Sequence, residues 1–133
     1  MTPQEARERF ASARVARLAT ADAHGVPHIV PLVFALDGET IYSAVDGKPK
    51  RTTDLKRLRN VAANPRVALL ADHYADDDWG AVWWARADGT GRVLDSSPAA
   101  VALLRERYAQ YRDAPPAGPV LAVDVERWSG WHG

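Results

Sequence analysis

The segment Val26 to Leu36 is apolar at both of its alternating positions. One side carries Val26, His28, Val30, Leu32, Phe34 and Leu36, and the other carries Pro27, Ile29, Pro31, Val33 and Ala35. A strand with one wet face alternates apolar with polar, so this one needs cover on both sides. One face belongs to a core. The other must meet a helix, a partner or a ligand. Pro31 has no N–H for a strand ladder, which predicts a sheet edge or a bulge there. Asp37-Gly38-Glu39 comes next, and Asp-Gly is among the strongest short hairpin signals. Thr40 to Val45 is the returning strand.

Around this hairpin the chain alternates short strands with helices. Thr2 caps a helix whose first residue is Pro3 and which ends near Ser12, with Phe10 and Ala13 on its apolar side. Arg14 to Thr20 is a first strand, and Ala21 to Gly25 a turn. A helix spans Asp54 to Ala63, capped by Thr52 or Thr53, and stops at Asn64-Pro65. Its stripe is Leu55, Leu58 and Ala62, which puts Lys56, Arg57 and Asn60 largely outside. Arg66 to Asp72 and Ala81 to Ala87 are strands. Asp88-Gly89-Thr90-Gly91 is a turn or a bulge before Arg92-Val93-Leu94. Ser97 caps a helix reaching about Tyr111. Val120 to Val125 is the last strand, and Glu126 to Gly133 is a tail. Short hairpin strands with interspersed helices predict one domain, residues 1–133, built as an antiparallel barrel flanked by helices.

Composition excludes several functions. The 133 residues hold 17 Lys+Arg against 17 Asp+Glu, which gives no support for nucleic-acid or membrane-surface binding. The chain has no cysteine, so disulfides, thiolate metal sites and cysteine nucleophiles are out. The N-terminus lacks a signal-peptide layout and no apolar run is long enough to span a bilayer, so a cytoplasmic location is expected. His24, His28, His73 and His132 lack ligand spacing, and Asp76-Asp77-Asp78 lacks the Gly and distal Glu of a calcium loop, so no metal is expected. Neither a nucleophile elbow, nor a dinucleotide fingerprint, nor a P-loop is present. No catalytic residue is identified.

Two features remain. Lys48, Lys50 and Arg51 stand together where a strand passes into a helix, and helix starts attract anions. The plain alternative is a solvated basic turn. Five tryptophans fall in two late segments. Trp83 and Trp84 suit a core or an interface. Trp79 ends an acidic loop, and Trp128 and Trp131 lie in a tail too short to form its own core. A subunit groove or a flat aromatic ligand would give that tail a place.

The runs Val15-Ala16-Arg17-Leu18-Ala19-Thr20, Gly25-Val26-Pro27-His28-Ile29-Val30-Pro31, Leu36-Asp37-Gly38 and Ile41-Tyr42-Ser43 carry a resemblance, as do Lys48-Pro49-Lys50-Arg51 and Asn64-Pro65-Arg66-Val67-Ala68-Leu69. Together they resemble the flavin-binding split barrel of the pyridoxamine 5'-phosphate oxidase-like superfamily. Asp72-His73-Tyr74, Asp76 to Trp79, Trp83-Trp84-Ala85-Arg86 and the Trp128/Trp131 tail are similar to its actinobacterial, deazaflavin-dependent branch. The resemblance implies a mainly β fold with helices, a six-stranded antiparallel split β-barrel of the FMN-binding type. It implies a homodimer with cofactor at the subunit interface. Pro31, Leu32, Val33, Ser43 and Ala44 would flank the cofactor ring. Lys48, Lys50, Arg51 and Thr52 would hold its phosphate, and Trp79, Trp128 and Trp131, from the partner or the tail, would cover the ring edge. The implied activity is an oxidoreductase passing a hydride from reduced coenzyme F420, a deazaflavin, to a small conjugated molecule. Surplus cations at Lys56, Arg57 and Arg59 suit its polyanionic tail. The alternatives are an FMN-dependent enzyme of the same fold and a non-catalytic cofactor- or haem-binding protein. The basic turn is longer than in pyridoxamine phosphate oxidases proper, and their substrate-phosphate residues have no clear match.

Overall fold

The computed structural model describes residues 1–45 and 55–133. The elements run α1 (Pro3–Ser12), β1 (Ala16–Ala21), β2 (Pro27–Leu32), β3 (Ala35–Asp37), β4 (Thr40–Ala44), α2 (Lys56–Ala63), β5 (Arg66–His73), β6 (Trp83–Leu94), α3 (Pro98–Arg107), α4 (Ala109–Asp113) and β7 (Val120–His132). All seven strands join one sheet in the order β2-β1-β5-β6-β7-β4-β3, and every pair is antiparallel.

The two outermost strands of that order, β2 and β3, are consecutive in the chain. The expected single strand from Val26 to Leu36 is broken at Val33-Phe34, which raises the strand number from six to seven. The wall therefore curls round on itself and leaves a seam between β2 and β3. Pro31 lies on β2, an edge strand opposite Arg17 of β1, where a missing N–H costs no ladder bond.

Two side chains cross the seam. Ser43 of β4 donates its hydroxyl to the Val33 carbonyl at 2.8 Å. The Tyr108 hydroxyl accepts from the Phe34 amide at 3.1 Å, with the carbonyls of Phe34 and Arg14 each 2.9 Å away for its single proton. Tyr108 caps the C-terminus of α3, so the helix expected to run to Tyr111 is divided there into α3 and α4.

The barrel interior holds Phe10, Phe34, Leu18, Ile41, Leu69 and Val123, all fully buried. Alternation on β5 turns Val67, Leu69 and Ala71 inward, as the sequence predicts. At α1, Thr2 accepts from the Glu5 amide and Pro3 opens the helix. At α2 the sequence misleads in two ways. The N-cap is Leu55, without a side-chain cap; Thr52 and Thr53 lie outside the described residues. The buried residues are Leu58, Asn60 and Val61 rather than Ala62, because the Asn60 amide donates to the Thr20 hydroxyl at 3.0 Å and so satisfies its buried polar group.

β6 and β7 are longer than predicted. Asp88 to Gly91 is continuous strand, and the bulge lies opposite it on β7: Asp88 faces Arg127 and Gly89 faces Val125, which leaves Glu126 as the extra residue. Beyond the bulge the supposed tail continues as strand, paired with Trp83 to Ala87. Trp128 is thereby turned into the core. Its ring lies 5.3 Å from Phe10, and its indole N–H donates to Glu39 at 2.7 Å.

Candidate functional site

The seam opens onto a cavity of about 350 Å³, within the range of small-molecule pockets. β2 and the break after it supply Pro31, Leu32 and Val33. The end of β4 supplies Ser43 and Ala44, and the link from α1 to β1 supplies Val15. Arg57 of α2 and Gln110 and Tyr111 of α4 complete the wall.

This arrangement follows from the local chemistry. Pro31 is tolerated because β2 is an edge. Ser43 is buried, and its donation to Val33 fixes the spacing between the two strands. Its oxygen keeps acceptor capacity after that donation. Tyr111 is buried three residues beyond Tyr108, and the two rings meet edge-on at 6.1 Å. The result is an apolar shelf of Pro31, Leu32, Val33 and Ala44 facing a polar rim of Arg57, Gln110 and Tyr111. Such a shape suits a flat ligand with one polar edge. Among the described residues the wall carries no histidine and no carboxylate, so it assembles no activated nucleophile.

Five of the sequence-derived ring residues, Pro31, Leu32, Val33, Ser43 and Ala44, thus line one cavity. Lys48, Lys50, Arg51 and Thr52 lie outside the described residues. The tryptophans are placed elsewhere. Trp128 is a core residue. Trp79 and Trp131 pair edge-on at 5.6 Å, 63% and 39% exposed. Val120 sits opposite Ala44, and Trp131 follows eleven residues later on the same strand. Neither Trp79 nor Trp131 lines the cavity.

Sequence reasoning missed Val15, Gln110 and Tyr111, and left Arg57 on the wet side of its helix. The Tyr108/Tyr111 spacing beside Arg107 is the signal that could have drawn attention to α4. Among the described residues no three His, Asp or Glu side chains are grouped to hold a metal ion. No helix among them is long and apolar enough to cross a membrane.

Residues 2–132 match the pyridoxamine 5'-phosphate oxidase family. The chain belongs to that family. Within it, the chain is 37% identical over 78 residues to the 5a,11a-dehydrotetracycline/5a,11a-dehydrooxytetracycline reductase of Streptomyces rimosus, an overlap of 59% of this chain and 54% of that protein. The chain thus spans about half the length of this curated relative. The fold is shared with a FAD-binding protein of Mesorhizobium loti (TM-score 0.73, 22% identity, 98% of this chain and 92% of that one). It is also shared with the haem-storage protein HutZ of Vibrio cholerae (TM-score 0.71, 17% identity, 99% and 95%). At these identities the two structures establish the split-barrel architecture.

Proposed function

We propose that this protein is an oxidoreductase that uses coenzyme F420 to reduce a small conjugated molecule. The observation that carries the reading is the seam cavity, lined by the apolar Pro31, Leu32, Val33 and Ala44 and by the polar Arg57, Gln110 and Tyr111. The 5a,11a-dehydrotetracycline/5a,11a-dehydrooxytetracycline reductase supports it as a relative that is itself a reductase. When bound, such a cofactor supplies hydride chemistry that no side chain can provide.

The chain's own residues do the rest. Pro31, Leu32, Val33 and Ala44 exclude water from one face of the ligand. Ser43 offers an acceptor at its edge. Arg57 faces the cavity, and with Lys48, Lys50, Arg51 and Thr52 it would hold the phosphate and the acidic tail. A single phosphate needs fewer cations, which is the basis for preferring F420 over FMN. A haem-binding reading is weaker, because the described wall has no histidine, the commonest haem ligand.

The working form is a homodimer in the cytoplasm. Register sets Ile29, Ala19 and Ala68 in one row on the outward side, next to Pro31, Arg17 and Leu70. Ile29 is 66% exposed and Val26 53%. A second copy would cover these side chains and would bring its own Trp79 and Trp131 to the rim of the cavity.

Absorbance titration tests the assignment. The purified protein is titrated separately with F420 and with FMN, and saturable F420 binding is the expected result. Uptake of FMN alone would move the protein to the FMN-dependent alternative. Binding without turnover of quinones or enones would leave a carrier.

A further inference from the structure

A second cleft adjoins the seam cavity and shares Val15 with it. Its volume is about 520 Å³. It lies where the link from α1 to β1 passes the end of β5, and its walls include Arg14, Arg17, Asp72, His73 and Trp83. None of these side chains has a role in the cofactor reading.

The charge there is unbalanced. Two arginines, Arg14 and Arg17, line the cleft with a single carboxylate, Asp72, and His73. Arg17 meets Asp72 at 3.3 Å, but both side chains are about half exposed, 48% and 53%. A pair so wet is worth little and yields to a better partner. Arg14 stands 5.5 Å from the centroid of Tyr108, the residue that staples the seam. Arg9 adds a further cation 5.9 Å from the ring of Trp83. Trp83 is 9% exposed and supplies a flat apolar wall.

We infer that this cleft binds the acidic group of the substrate, a small conjugated organic anion such as a carboxylate or an enolate. Arg14 and Arg17 hold the anionic oxygens, and Trp83 flanks the conjugated body. Val15, common to both cavities, sets that body beside whatever occupies the seam. The inference rests on the reading of the seam cavity as the cofactor's place, and it adds a substrate class to that reading. Guanidinium groups suit such anions because they donate two parallel hydrogen bonds to planar oxyanions.

The test uses cinnamate and its neutral amide, cinnamamide, as probes of the full chain, with and without F420. Binding is followed by calorimetry and by the indole N–H resonance of Trp83. Cinnamate is expected to bind saturably, to shift the Trp83 signal and to remain bound when F420 is added. Cinnamamide should bind about tenfold more weakly, as should cinnamate to Arg14→Gln or Arg17→Gln, the loss expected for one charged hydrogen bond. Arg17→Gln lies on an exposed strand position, so it remains informative if Arg14→Gln folds poorly. Equal binding of acid and amide, an unmoved Trp83 signal, or unchanged affinity in Arg17→Gln would overturn the inference. Displacement of cinnamate by F420 would overturn it too, while leaving the cofactor reading intact. Cinnamate bound as expected by a chain that takes up neither F420 nor FMN would uphold the anion site and remove the cofactor reading.

Discussion

The hydroxyl of Tyr108 lies 3.1 Å from the amide nitrogen of Phe34 and 2.9 Å from its carbonyl oxygen. One side chain thereby does for the break between β2 and β3 what a neighbouring strand does elsewhere. Tyr108→Phe leaves the shape and removes the partner of a buried N–H. The expected cost is about 1–3 kcal/mol, measured as a lower urea midpoint at unchanged m-value. Wild-type stability in this variant would mean that the seam is held by packing alone.

Gly89 stands at the bulge between β6 and β7, and a Cβ built on it would fall 2.3 Å from the Asp124 carbonyl oxygen. The obstacle is backbone, so no rotamer relieves it. Gly89→Ala should destabilise by at least ~1–3 kcal/mol, the range for overpacking, read from thermal unfolding. A neutral result would show that the bulge can migrate.

Asp124 sits against Arg92 at 3.0 Å and Thr40 at 3.0 Å. The Arg92 hydrogen bond, opposed by partial burial and aided by Thr40, holds its carboxyl below the usual aspartate value. A depressed folded value means that the pair stabilises the protein above the unfolded pKa of about 4, and that this contribution is lost as pH falls through the folded value. The groups are half exposed, so its size is at most ~1 kcal/mol. The penalty of Asp124→Asn should therefore be present at neutral pH and shrink as pH falls below the usual aspartate value of about 4. A penalty independent of pH would assign the effect to the Thr40 contact.

Ile29 projects 66% of its surface outward from an edge strand. If a second copy covers this face, Ile29→Lys should convert a dimer into a monomer in sedimentation velocity without altering circular dichroism. A dimer that persists in this variant would move the interface elsewhere. A monomeric parent protein would remove the proposal that partner tryptophans cover the cavity.

Much of the fold is legible in local sequence. Thr2-Pro3 with Glu5 specifies the start of α1, Gly38 adopts the positive φ that the Asp-Gly hairpin needs, and Pro31 marks an edge. The five residues expected to flank a ring lie on β2, the break after it and β4, and the closure of the wall at the seam, where Ser43 meets Val33, brings them together. What escapes the sequence is set by distant partners. The break at Phe34 depends on Tyr108, 74 residues away. Asn60 is buried because Thr20 receives it. The Trp128 segment looks like a tail until β6 is there to pair with it. Gln110 and Tyr111 reach the cavity through a helix break that no local rule announces.

The seam has a consequence for how the protein can adapt. Elsewhere the wall is closed by continuous ladders, and widening it would break many backbone bonds at once. Between β2 and β3 the closure consists of the hydroxyls of Ser43 and Tyr108, each worth about 1 kcal/mol net. The barrel can therefore change its girth at that joint at the cost of one or two side chains, with its strand order untouched. Mutations at positions 43 and 108 are where ligand size could be tuned, at the stability cost of a single side-chain hydrogen bond rather than of a whole ladder.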